Sequence, residues 1–148
     1  MDTLYFEDIE EGQRLESPWH TVTREEIVEF ARAWDPQPFH VEDAAAERSI
    51  FGGFAACAAH IFALQSRLAH ALPARVALLA GLGGDGLELL APVRAGAQVK
   101  LVRRFTGKRV SRSRPECGVV AIEHTLETPG GEVVFRTRGA MLVERRGS

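Results

Sequence analysis

The chain has 148 residues, 45% of them hydrophobic and 26% charged, and carries a formal net charge of −2. That length and composition suit one globular domain with a proper core, and without a basic excess nucleic-acid binding is excluded. Two cysteines, Cys57 and Cys117, are too few for a disulfide framework and lie in no CxxC motif, which points to a reduced, cytoplasmic setting. The acidic N-terminus lacks a signal core, and no apolar run is long enough for a membrane span.

In chain order, the first half reads helical. Thr23-Arg24-Glu25-Glu26 has the form of a capping box, and Ile27, Val28, Phe30, Ala31 and Trp34 recur at helical spacing. That helix must stop near Asp35, because Pro36 follows. A short helix is expected over 42–48. A third, over 54–70, is so apolar that most of its circumference should be covered.

From about residue 76 the period becomes strand-like. Strands are expected over 76–82, 87–90, 98–105, 118–126 and 133–143, with turns at Pro92-Val93-Arg94-Ala95-Gly96 and Thr128-Pro129-Gly130-Gly131. Consecutive strands joined by turns imply an antiparallel meander, and with the apolar helix an α+β domain of two layers. The proline-free, β-branched strands 118–126 and 133–143 are the expected open edges of that sheet.

Three motifs need separate readings. Gly81-Leu82-Gly83-Gly84-Asp85-Gly86 matches GxGxxG, but Leu87-Glu88-Leu89-Leu90 runs into Pro92 rather than opening a helix. The glycines therefore mark a strand bend or bulge, and no dinucleotide cofactor is implied. His20, His40, His60 and His70 lack ligand spacing with a cysteine or carboxylate pair, so no metal site is expected. The basic run Arg109-Val110-Ser111-Arg112-Ser113-Arg114 reads as a solvated edge, with the phosphates of an anionic substrate as its other use.

Chemistry is best placed on Asp35-Pro36-Gln37-Pro38-Phe39-His40. A carboxylate and an imidazole can together take one proton from water and return another. Fully extended, five residues would part them by roughly 15 Å, so the segment must bend back. The other reading is a Pro-rich connector with an exposed Asp and a surface His.

This segment, followed by five residues and Ala46, resembles the signature of the MaoC-like dehydratases and (R)-specific enoyl-CoA hydratases. Phe51-Gly52-Gly53 before the apolar helix, the Pro-Val-Arg-x-Gly turn at 92–96, Ser111-Arg112-Ser113-Arg114-Pro115 and Gly130-Gly131-Glu132-Val133-Val134 extend the resemblance from Phe6 to about Arg145. It implies a hotdog fold, an antiparallel sheet wrapped around a long central helix. The implied reaction is hydration of a trans-2-enoyl thioester of coenzyme A, or of acyl carrier protein, to the (R)-3-hydroxyacyl thioester, or the reverse dehydration. Asp35 and His40 would be catalytic, Gln37 would position water, and the Ala58 N–H would bind the thioester oxygen. Phe39, Gly53 and Ser66 would contact substrate, although Ser66 could instead bond back to the preceding helical turn. No cofactor is implied, and the expected assembly is a homodimer or a dimer of dimers, joined sheet edge to sheet edge. Gln37 stands where the hydratase signature has Asn, and Ala58 where active hydratases have Gly. The alternative is therefore a hotdog domain that binds acyl thioesters with little or no catalysis. A thioesterase of this fold would need a carboxylate on the central helix, and 54–70 has none.

Overall fold

A computed structural model describes residues 1–147. In chain order the strands are β1 (Asp2–Leu4), β2 (Arg14–Glu16), β3 (His20–Thr21), β4 (Ala74–Val76), β5 (Leu78–Gly81), β6 (Gly86–Leu89), β7 (Gln98–Val110), β8 (Cys117–Glu127) and β9 (Val133–Glu144). The helices are α1 (Arg24–Trp34), α2 (Pro38–Val41), α3 (Asp43–Arg48) and α4 (Ala58–Ala69). The main sheet runs β2-β7-β8-β9-β5, with β3 also on β7 and β6 also on β9, and every pairing in it is antiparallel. A parallel pair, β1 with β4, stands beside it.

The long strands β7, β8 and β9 form the expected meander. The edges differ from the sequence reading. The segments expected as open edges, 118–126 and 133–143, lie inside the sheet, because β9 is covered along its far side by β5 and β6. High β-branched content reflects pairing on both sides here. One edge is formed by β2 and β3, the other by β5 and β6, two halves of one line broken over 82–85, where Leu82 donates to the Ala140 carbonyl and Ala140 to that of Gly83. The GxGxxG match is thus a strand bend, as expected: Gly83 has φ +90°, and a methyl at Gly84 would overlap the Arg138 carbonyl. The short first-half strands β1, β2 and β3 were not legible as periodic runs.

α1 begins as its sequence suggests, with Thr23 Oγ1 accepting from the Glu26 N–H at 3.1 Å. The second half of the capping box is absent. The Glu26 carboxylate turns to His20 Nε2 at 2.9 Å and lies 3.8 Å from His60 Nε2. α4 starts four residues later than expected, since 54–57 is extended and Ala55 bridges to Arg94. One face of α4 (Ile61, Leu64, Leu68) packs on Leu101, Leu126 and Phe135 of the sheet. The opposite face, with Ala58, Phe62 and Ser66, is exposed in the protomer, so less of its circumference is covered than its apolarity suggests. Among the described residues no helix is long and apolar enough to cross a membrane.

The two sheet faces differ in chemistry. On the outer face Glu123 lies 3.3 Å from Arg138 and Arg104 Nη1 donates to Thr125 at 3.0 Å. The inner face holds two apolar clusters, one under α4 and one around Phe6, Ile9, Phe105 and Met141. Between them β7, β8 and β9 place Arg103, His124 and Thr137 side by side. Arg103 Nε donates to His124 Nε2 at 2.9 Å, and burial, helped by the Arg103 charge, pulls the His124 imidazole down to about 3. His124 is therefore neutral in the fold, as its acceptor role requires.

Two outcomes follow from this packing. Gly118 lies flat on the Phe6 ring, and a methyl there would overlap it. Gly118→Ala should cost about 1–3 kcal/mol in denaturant unfolding, while Gly130→Ala, in an open turn, should match wild type. The second outcome is a pH dependence. A neutral His124 binds no proton in the fold, whereas the unfolded chain binds one below about pH 6.5. Its full contribution is present above that pH and is lost as pH falls toward 3. Burial lowers the His60 imidazole too, in the same direction. His124→Gln, which keeps an acceptor for Arg103, should flatten the acid limb of the stability–pH curve measured by urea unfolding.

Candidate functional site

The bend that the Asp35–His40 segment needs is built from three tight turns. Asp35 ends α1, its N–H bonded to the Ala31 carbonyl at 2.8 Å. The Gln37 N–H then turns back to the Asp35 carbonyl at 2.8 Å, and the His40 N–H to that of Gln37 at 2.9 Å. Pro38 occupies the first position of α2, where its missing N–H costs nothing. The pair closes: Asp35 Oδ2 lies 3.9 Å from His40 Nε2. That gap is too long for a direct hydrogen bond and suits one bridging water. The reading of a plain connector with a surface histidine is set aside, because His40 is only 5% exposed.

His40 is fixed from the other side. Its Nδ1 lies 2.8 Å from the Ala55 carbonyl, and a carbonyl can only accept, so Nδ1 carries the proton. Nε2 is left facing Asp35 with its lone pair. Ala55 is in turn held by the 92–96 turn. The Ala56 N–H bonds to the Val93 carbonyl at 2.8 Å, the Ala95 N–H to that of Phe54 at 3.1 Å, and Arg94 Nη1 to that of Phe51. Motif segments some forty residues apart thus meet to orient one imidazole. The Phe39 ring lies against it, 4.5 Å between centroids at 58°.

The N-terminus of α4 opens beside this pair. Ala58 is its first residue, after the N-cap Cys57, and no side chain caps it. The first N–H groups of a helix have no partner within it and lie at the positive end of its dipole. Asp35 is close enough for its charge to help raise the Cys57 thiol, though burial is the larger cause. A raised thiol is protonated at neutral pH, so Cys57 is no nucleophile. Gly53 lies five residues before Ala58 and is half-buried, whereas Gln37 is exposed at the crown of the turn.

Ser66 stands apart. It lies eight residues along α4 from Ala58, roughly 12 Å, and borders a cavity of about 740 Å³ between α4, the inner face of the sheet and the β5–β6 edge. No bond from its hydroxyl to the preceding turn is formed, and neither Asp35 nor His40 lines the cavity. Sequence reasoning missed the polar row on the cavity wall, Arg103, His124 and Thr137. The available signal was Arg103 itself, a charge at an inward position of the alternation Val99, Leu101, Arg103, Phe105. The run Arg109–Arg114 ends β7 and forms the turn into β8, where Arg109, Arg112 and Arg114 are exposed.

Comparison with known proteins places this geometry. Residues 6–128 match the MaoC like domain. A crystal structure of the MaoC-like dehydratase from Rhodospirillum rubrum is 33% identical, with 98% of this chain and 99% of that one aligned at a TM-score of 0.88. The R-hydratase PhaJ1 from Pseudomonas aeruginosa superposes at a TM-score of 0.75 with 20% identity, over 96% of this chain and 86% of its own. The (R)-hydratase from A. caviae involved in PHA biosynthesis gives 0.70 and 22%, over 93% and 97% of the two chains. At those identities the two hydratases show the fold, the hotdog, and not the activity. A comparison with curated proteins found no match. The matched domain spans most of the chain, and with it the chain belongs to the MaoC-like dehydratase family.

Proposed function

We propose that this protein hydrates trans-2-enoyl thioesters of coenzyme A or acyl carrier protein to (R)-3-hydroxyacyl thioesters, or runs the reverse dehydration. The observation that carries the reading is the Asp35–His40 pair, closed to 3.9 Å beside the uncapped start of α4. One water held between Asp35 Oδ2 and His40 Nε2 loses a proton to the base as its oxygen bonds to C3. The electron pair of the double bond moves to C2 and the thioester oxygen. The proton taken from water, passed within the Asp35–His40 pair, is then delivered to C2, so both parts of one water molecule are added and no other reagent is consumed. Negative charge on the thioester oxygen would be met by the Ala58 N–H, a donor of the kind worth about 3–4 kcal/mol in the transition state. Gln37 would help hold the water, and Phe39 and Gly53 would border the thioester.

In this reading the working unit is a homodimer. Among the described residues β5 and β6 pair only with β9, leaving their outer edge unpaired, and Leu78, Leu79, Leu82, Leu87 and Leu89 are each about half exposed there. An edge this apolar is a liability unless paired, and two-fold pairing of two β5–β6 edges would cover it.

Asp35→Asn and His40→Ala should each lower hydration of crotonyl-CoA or a longer enoyl-CoA by about 10²–10⁴-fold, read as loss of enoyl absorbance, with unchanged circular dichroism. Near wild-type turnover in either variant would contradict the mechanism. Light scattering at micromolar concentration should give twice the protomer mass, and Leu79→Arg should shift it toward the monomer. An active monomer would remove the shared assembly.

A further inference from the structure

The inner face of the sheet is apolar on both sides of one polar row. Leu101, Leu126 and Phe135 form the register row above it, and Phe105, Ile122 and Gly139 the row below. Arg103, His124 and Thr137 lie between, and Gln65 of α4 joins them by accepting from the Thr137 hydroxyl at 2.7 Å. All four border the 740 Å³ cavity. Three of the partners are neutral, and Arg103 is not.

Arg103 is 8% exposed, and only its Nε is satisfied, by His124. Among the described residues no carboxylate lies within 4 Å of it and neither Nη group finds an acceptor. Burial lowers its guanidinium only to about 10, so it remains a cation at neutral pH. The unpaired Nη groups are not enclosed, so they present a fixed cation to whatever enters the cavity. Around the cavity Arg75 joins Arg103 against one carboxylate, Asp85, while the Arg138 guanidinium is taken up by Glu88 and Glu123 on the outer face. The excess is positive, while Phe62, Leu87 and Ile122 supply apolar wall. A volume of this size suits an organic ligand rather than a lone inorganic anion. It calls for a ligand with methylenes and a negative end.

We propose that this cavity receives acyl chains ending in a carboxylate, which the two free Nη groups of Arg103 bind as a fork. The proposal rests on the hydratase reading and names the acyl class that reading leaves open. The guanidinium fork matches two carboxylate oxygens. A methyl-ended chain in the same place would bury the charge further without pairing it, so the site rejects it as well as preferring the acid. α4 joins the two regions, since Ala58, Phe62, Ser66 and Ala69 form one stripe from the Asp35–His40 end to the cavity.

The test uses saturated thioesters, which cannot be hydrated. Calorimetry would compare ω-carboxyacyl-CoAs from succinyl to sebacyl with methyl-ended acyl-CoAs from butyryl to decanoyl. At one chain length or more, the wild type should bind the carboxylated ligand at least about tenfold tighter. Arg103→Met should erase that preference while leaving methyl-ended ligands bound as well or better, and Arg103→Lys should keep part of it. No preference at any length, or a preference that Arg103→Met leaves intact, would overturn the proposal. Inorganic phosphate or free adipate binding as tightly, and dependent on Arg103, would also overturn it by showing a free-anion site. Should Arg103→Met fail to fold, the wild-type comparison and Arg103→Lys still decide. If carboxylated ligands bind with Arg103-dependent preference but no enoyl thioester is hydrated, the hydratase reading fails and this one stands. Hydration of crotonyl-CoA without any carboxylate preference gives the converse.

Discussion

The hydrogen bond from His40 Nδ1 to the Ala55 carbonyl, 2.8 Å long, is the constraint on which the rest of the site depends. It sets the imidazole tautomer, because the acceptor has no proton to give. It also ties the helical turn after Pro38 to the extended strip before α4, and so places a buried imidazole beside the start of that helix. The strip cannot hold this position alone. Backbone bonds from the 92–96 turn and the Arg94 guanidinium keep it extended. The glycine-proline turn over 92–96 therefore supports the site through its backbone and the Arg94 side chain.

In the protomer the Asp35–His40 pair sits at one end of α4 and the cavity at the other, with the exposed stripe of the helix between them. The same stripe and the β5–β6 edge hold most of the large exposed apolar residues. In the proposed homodimer a second copy laid edge to edge would cover both the apolar edge strands and the uncovered face of the helix. The buried Arg103 belongs to a different economy of forces. A polar row in the middle of an apolar face contributes less to stability than leucines would, and the unpaired Nη groups of Arg103 beside the cavity are what point to a ligand.

The sequence was most legible where one residue type dictates local geometry. Pro36 and Pro38 located the bend, Thr23 the start of α1, and the glycines over 81–86 the strand break. The meander was legible because long β-rich runs are separated by clear turn residues such as Thr128-Pro129-Gly130-Gly131, even though alternation breaks where Leu101, Val102 and Arg103 are all buried. The sheet order was not, because which strand becomes an edge depends on the partner that covers it, and β5 and β6 are too short and too broken to announce that role. The helix start was misjudged by four residues, since Phe54-Ala55-Ala56-Cys57 has no residue that forbids a helix. Only the distant Val93 and Ala95 backbone draws it into extended form. Glu26 shows the same limit: local spacing assigned it to a capping box, and tertiary contact with His20 took it away. The Asp35–His40 pair was found by chemistry and spacing, whereas the Arg103 row was missed because its three members come from three strands and converge only through register.

The central claim is that His40 is held as the Nδ1–H tautomer with Nε2 turned toward Asp35. Nitrogen-15 NMR of the protein labelled at its histidine ring nitrogens reads this directly. At a pH where His40 is neutral, the account predicts a protonated Nδ1 and an unprotonated Nε2 for His40, with the Nε2 resonance responding to Asp35→Asn and the Nδ1 proton slow to exchange. A His40 that is protonated on Nε2, or that averages rapidly between tautomers, would contradict it.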